Sequence, residues 1–385
     1  VKILQMSGLA IENIGNTTLQ WETTNRLTAG LDLLMFNNRL ALSLNGYLSN
    51  TDNLLSISSL SEVTGVRNAW SNGGSLKNNG FDATLSGKLV NTDMVKWEMG
   101  ASIGKYKTEV VKLPEDEVSV ELYGATIKTK VGAPPVQFYG YRTDGVFATT
   151  KAAEELIAVQ VFDEDGDPVM DASGNPTYTY DALHMRSKTG INTYFEAGDV
   201  KFVDMNDDAI IDEKDMVMIG DPNPDFYGRF FTNLNVRNFT LSATVTCSLG
   251  GDIYNYQRML LESGSRFMNQ TVALTNRWTC EGQVTDYPKI VFGDPHHNAR
   301  FSDRWIEDGS YVRLKNVTLS YNIPISNDYI RGMTIWGSAN NLVTLSNYLG
   351  SDPEFSMSNS IYSMGIDRGL LPLSRNFSLG LKINL

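Results

Sequence analysis

The feature that most constrains this chain is a strict alternation of apolar and polar side chains, repeated in segment after segment. Phe377, Leu379, Leu381, Ile383 and Leu385 alternate with Ser378, Gly380, Lys382 and Asn384. Phe239, Leu241, Ala243, Val245 and Cys247 alternate with Thr240, Ser242, Thr244 and Thr246. The same rhythm runs through Leu27, Ala29, Leu31 and Leu33, through Leu40, Leu42 and Leu44, through Phe81, Ala83 and Leu85, and from Val95 to Ile103. Successive side chains of an extended strand point to opposite faces, so each segment forms a strand with one apolar and one polar face. Strands are predicted at 19–36, 39–50, 76–90, 95–112, 226–236, 239–249, 311–323, 332–346 and 376–385.

Alternation also occurs in soluble sandwiches, so the connections carry the next step. Short turns are expected at 37–38, 91–93, 237–238 and around 326–328, and each is followed by a long link: to about Leu76 in the first hairpin, then 113–225, 250–310 and 347–375. In an up-and-down meander, odd and even links lie at opposite ends, so all the long links share one end. That is the habit of outer-membrane barrels, with short periplasmic turns and long extracellular loops. The fold expected is all-β: a transmembrane antiparallel up-and-down β-barrel, with 113–225 and 250–310 as long extracellular loop regions. Nine strands is an odd number, whereas single-chain bacterial barrels have an even one, so residues 1–385 read as the C-terminal part of a larger barrel.

Composition narrows the partners. There are 32 Lys+Arg against 44 Asp+Glu, a net charge of -12, and phosphate binding needs a basic face, so no nucleic-acid partner is expected. A mean hydropathy of -0.22 suits a chain whose two strand faces average out. No stretch approaches the ~18 apolar residues of a transmembrane helix. Cys247, on an apolar strand face, and Cys280 have no metal-type spacing and read as free thiols, with a disulfide left open.

Several stretches resemble the SusC/RagA type of TonB-dependent importer. They are Leu19-Gln20-Trp21-Glu22, Asn78-Asn79-Gly80-Phe81-Asp82, Phe138-Tyr139-Gly140-Tyr141-Arg142-Thr143-Asp144-Gly145, Gly198-Asp199-Val200-Lys201-Phe202-Val203-Asp204, Ile219-Gly220-Asp221-Pro222 and, most distinctively, Arg300-Phe301-Ser302-Asp303-Arg304-Trp305 running on to Leu319. Ser338-Ala339-Asn340-Asn341-Leu342 and Asp352-Pro353-Glu354 complete the family's order. The resemblance implies a plugged barrel of ~22 strands in the cell outer membrane. It also implies TonB contact through a portion upstream of these residues, a SusD-like surface lipoprotein as lid, and a glycan or peptide substrate. The family usually ends in an aromatic residue, whereas this chain ends in Leu385.

One motif points to a metal. Asp204, Asn206, Asp208, Asp212 and Asp215 stand at positions one, three, five, nine and twelve of a loop in which Ile210 offers its carbonyl at position seven. A calcium ion takes six to eight oxygens from such a loop. Ala209 stands where glycine normally permits the sharp turn, and Asp215 is shorter than the usual bidentate Glu. A plain solvated acidic loop is the competing account to calcium.

Other candidates read as structural. His296 and His297 are adjacent and would point opposite ways on a strand, and His184 is distant in sequence. Glu307 and Asp308 would not aim jointly at one bond. No nucleophile elbow, phosphate loop or metalloprotease motif occurs, so the chain is not expected to be an enzyme. Trp21, Tyr47, Trp97 and Tyr321 are candidates for interfacial girdles. Tyr254, Tyr256, Trp278, Trp305, Tyr348 and Tyr362 are expected to pack within loops before they stack on a sugar. Segment 256–278 carries a loose helical stripe broken by Gly264. Two rival readings remain: a soluble calcium-containing all-β glycan-binding module, and an outer-membrane barrel enzyme.

Overall fold

A computed structural model describes residues 2–3, 6–7, 15–59, 68–115, 117–163, 167–186, 192–325 and 329–384. Nine long strands form one antiparallel sheet whose spatial order is the chain order: β1 (Thr23–Met35), β2 (Leu40–Ser59), β3 (Asn68–Asn91), β4 (Val95–Lys112), β5 (Phe226–Val236), β6 (Phe239–Leu249), β7 (Tyr311–Ile323), β8 (Gly332–Ser346) and β9 (Asn376–Asn384). All nine predicted strands are present. The turn at 326–328, the acidic stretch at 164–166 and Leu385 lie outside the described residues.

Register carries the alternation across the sheet. Leu31 lies opposite Leu44, and the row continues through Ala83, Ile103, Gly228, Cys247, Val312 and Leu345. A second row runs Leu241, Leu319, Gly337 and Leu379. The register shifts between Leu314 and Asn316, which sets Lys315 aside as an extra residue and keeps Leu314 and Val317 on the apolar face. In mid-sheet, Ile103 is 47% exposed and Leu319 52%, although both flanking strands are in place. Protein therefore does not cover this face. The opposite face is polar and hydrogen-bonded across strands: Asn45 to Asp82 at 2.9 Å, Thr84 to Ser102 at 2.9 Å, and Asn316 to Asn340 at 2.8 Å. Aromatic rings on it lie over glycines of the next strand; a Cβ at Gly100 would meet the Phe231 ring at 2.6 Å.

Three expectations change. The pairing of β2 with β3 continues as far as Ser59 with Asn68, so the long link between them shrinks to 60–67, which lies outside the described residues. Polar residues such as Asn50, Thr51 and Asp52 erase the alternation there while the backbone ladder continues. Segment 256–278 is helical only over Tyr256–Glu262; Gly264, at φ 60°, ends it, and a 3-10 turn follows at Val272–Asn276. Tyr47 belongs to the polar face, because it is out of phase with Leu44 and Leu48, and it stands over Gly80 with Arg26 4.3 Å from its ring.

The long links fold into bodies of their own. One core takes Ile127 and Phe138 from 113–225, Tyr254, Phe301 and Trp305 from 250–310, and Ile366 from 347–375. A second, built around Phe147, Met185, Phe195, Phe202 and Ile211, lies within 113–225. Buried Arg313 of β7 ties the last link to the wall, pairing with Asp352 and, at 2.9 Å, with Glu354.

Candidate functional site

The acidic loop is built from its own backbone. Asp204 accepts from the Ala209 N–H at 2.6 Å and from the Asn206 and Asp208 N–H groups at 3.3 Å, which curls the chain back on its first residue. Asp207 (φ 58°) and Ala209 (φ 59°) adopt the left-handed conformation that the curl demands, a strained choice for alanine. Asn206 donates to Asp208 at 2.9 Å, and Asp208 accepts from the Ile210 N–H. Asp212 caps the 3-10 turn Glu213–Asp215, and Asp215 answers by accepting from the Asp212 N–H at 2.8 Å and from Met205 at 2.9 Å. Ile210–Ile211 pairs in parallel with His184 and Met185, and Ile211 is fully buried, so the loop is fixed to the second core.

Asp215 is itself buried, and that burial, with Asp204 and Asp208 nearby, holds its carboxyl above the ordinary aspartate range. The fold thus draws the predicted residues together in one tight loop. Their carboxylates are turned mainly onto backbone N–H groups. Among the described residues, the one group of three His, Cys, Asp or Glu donors with ligand atoms within 4.8 Å of one another lies elsewhere, at Glu196, Asp199 and His296.

That second cluster escaped the sequence reading. Asp199 is fully buried and accepts from the Glu196 N–H (2.8 Å), His296 Nδ1 (2.6 Å) and Asn298 Nδ2 (2.9 Å). Lys289 already supplies a cation, 2.8 Å from Glu196 and 3.4 Å from Asp199, and with its neighbours it lowers the Glu196 pKa. The arrangement is a polar clamp between links 113–225 and 250–310. Its partners are about a hundred residues apart, so no local spacing announces it.

The family-like stretches converge on one cavity of about 660 Å³, lined among others by Arg142, Asp144, Met205, Met218, Asp221 and Asp252. Thr143 clamps Asp303 from the other link, through its hydroxyl at 2.6 Å and its N–H at 3.2 Å. Glu307 and Asp308 are structural: Glu307 accepts from Arg258, Asn255 and the Leu349 N–H, and Asp308 from the Ser310 N–H. Tyr254, Trp305 and Tyr348 are buried and pack as expected. Tyr256 and Tyr362 pack on the shared core, and Trp278 donates to the Ala148 carbonyl. Cys247 and Cys280 are free thiols.

A meander with one uncovered apolar face, one polar face and bodies built from its long links defines the class: a wall of an outer-membrane β-barrel. Residues 4–342 match the family described as "TonB dependent receptor-like, beta-barrel", and the chain belongs to that family, in its SusC/RagA branch. It is similar to TonB-dependent receptor P3 of Formosa agariphila, at 30% identity over 98% of this chain and 36% of that protein. TonB-dependent receptor SusC of Bacteroides thetaiotaomicron is 25% identical over 96% of this chain and 32% of its own length. A solved structure of the RagAB peptide transporter shares the fold at 24% identity with a TM-score of 0.72, covering the whole chain and 38% of the solved one. The chain thus spans about a third of the length of the relatives it matches. These findings, with the bare apolar face, set aside the reading as a soluble module. The relatives are named as receptors and transporters rather than enzymes.

Proposed function

We propose that this chain is part of the wall, together with extracellular loops, of a TonB-dependent importer for glycans or oligopeptides that works with a SusD-like lipoprotein. In this reading the polar strand faces line the lumen, 113–225, 250–310 and 347–375 project outside the cell, and the chain performs no chemistry of its own. The observation that supports it most is the apolar face running uncovered across all nine strands, which would cost dearly in water and is at home in lipid. RagAB is named a peptide transporter, and SusC a TonB-dependent receptor. The test is uptake of labelled oligopeptides and of labelled oligosaccharides by cells that carry or lack the full-length protein. Uptake of one class should need both the protein and an energised inner membrane. Equal uptake without the protein, for both classes, would defeat the reading.

The same reading gives the acidic loop a calcium ion, with oxygens from Asp204, Asn206, Asp208, Asp212 and Asp215 and the Ile210 carbonyl as donors. Its support is the convergence of Asp204, Asp208 and Asp215 in a loop whose negative charge burdens the buried Asp215. Chelation should then loosen 204–215 while the strands stay closed, and Asp204→Ala should mimic the chelator. Hydrogen exchange across the loop with and without calcium reads this directly, and identical protection would leave a plain acidic turn.

A further inference from the structure

At the end of the wall that leads into link 113–225, the apolar face changes character. Register sets Lys105 of β4 beside Phe81 of β3, Lys107 beside Asn79 and Glu109 beside Lys77. Phe81 is in phase with Ala83, and Lys105 with Ile103, so these six side chains point to the apolar side of the sheet. Three of the six are lysines and one, Glu109, is a carboxylate. In a chain of net charge -12 this is a local reversal of sign. None of the four charged groups takes part in an ion pair among the described residues. Lys105 holds its ammonium 4.4 Å from the centre of the Phe226 ring, and Lys77 and Lys107 are exposed.

Beside the lysines the face is hollow. The row from Lys105 and Phe81 runs on through Gly46 of β2 and Ala29 of β1, two small residues next to Leu27 and Leu48. A hollow of about 560 Å³ opens there, with Lys105 and Lys107 at its rim. Crowding does not require the glycine, because a Cβ at Gly46 would meet nothing nearer than the Gly80 carbonyl oxygen at 3.9 Å. The rest of a barrel cannot cover this corner. Strands added at either edge extend the sheet beside it, and anything inside the barrel lies against the polar face. A hydrocarbon chain fits a hollow walled by leucine and phenylalanine, and a phosphate fits the ammonium groups at its rim. A free phosphate ion would have no use for the hollow.

We propose that this outward corner of β1 to β4 binds a phosphorylated glycolipid of the outer leaflet. An acyl chain lies over Gly46 and Ala29, and Lys77, Lys105 and Lys107 hold the phosphate. The inference rests on the apolar face meeting lipid and on link 113–225 projecting outside the cell; it adds which lipid is held and where.

The test uses the full-length protein in detergent, with phosphorylated lipid A as the probe and native mass spectrometry as the readout. Lys77→Gln, Lys105→Gln and Lys107→Gln together should weaken retention of the lipid by about tenfold or more. Unchanged heat-modifiable mobility verifies that the variant barrel is assembled. Gly46→Leu fills the hollow, leaves the lysines in place and should weaken retention too. Lipid A stripped of its phosphate should bind the wild type no better than it binds the lysine variant, and inorganic phosphate should not compete. Equal retention by the wild type and both variants overturns the site and leaves lysines that only reach for water. Full competition by inorganic phosphate makes the corner an ion site without lipid and overturns the proposal as well. A nitroxide on Ile103→Cys that collides more with a water-soluble nickel reagent than with oxygen defeats the lipid-facing wall beneath the inference.

Discussion

In the wall each strand pairs only with its neighbours in chain order, whereas the core of the loop bodies draws Phe138, Tyr254 and Ile366 from three separate links. The wall needs a local pattern and tight turns: Phe36, Asn37 and Asn38 at positive φ reverse the chain, and the ladder of β1 and β2 follows. The loop bodies need distant partners, such as Asp199 with His296 and Arg313 with Asp352. The two regions also bury different things. The wall keeps its apolar residues on the outside, and the loop bodies keep theirs within. It follows that the two should fail separately when damaged.

The largest expected effect falls on the loop side. Arg313→Met leaves the Asp352 and Glu354 carboxylates without their buried guanidinium, and breaking such a pair costs about 3–5 kcal/mol. Link 347–375 should lose protection from proteolysis and hydrogen exchange while 239–249 keeps it. Equal loss in both places would abolish the separation drawn here.

On the wall side, Leu381→Arg places a charge on the bare apolar face at a cost of roughly 2–4 kcal/mol near the bilayer middle. Asn384→Arg, on the alternate face, should be milder. Heat-modifiable mobility of the assembled barrel distinguishes the two, and equal tolerance would refute the assigned faces.

A smaller effect concerns Asp215. Burial and the neighbouring carboxylates raise its folded pKa above the ordinary 3.8, so its charged form weakens the loop. Without calcium, protection of 204–215 should fall as pH rises from 3.8 through the raised value. Calcium, by neutralising the charge, should remove that fall. A flat profile without calcium would contradict the assigned strain.

How much was legible in the sequence follows the same division. Leu241, Leu319 and Leu379 announce their strands and their common face, because alternation needs only near neighbours. The pattern faded at Thr51 and Asp52, where the ladder of β2 and β3 continues on polar residues with no membrane to enforce alternation. Tyr47 was misplaced although it was legible: counted from Leu44 it falls out of phase with the apolar face. In the loops, the acidic curl from Asp204 to Asp215 was legible because its partners lie within twelve positions. Asp199 and His296 were not, since they stand on different links.

The central claim is that the uncovered face of the wall meets lipid. Single cysteines placed along β6 from 239 to 249, in a chain freed of Cys247 and Cys280 and reconstituted within the full-length protein, carry spin labels whose collisions with oxygen and with a water-soluble nickel reagent are compared. Labels at 239, 241, 243 and 245 should favour oxygen, and labels at 240, 242, 244 and 246 should favour nickel, a two-residue oscillation along the strand. A profile without that oscillation, or one with the phases exchanged, would contradict the account.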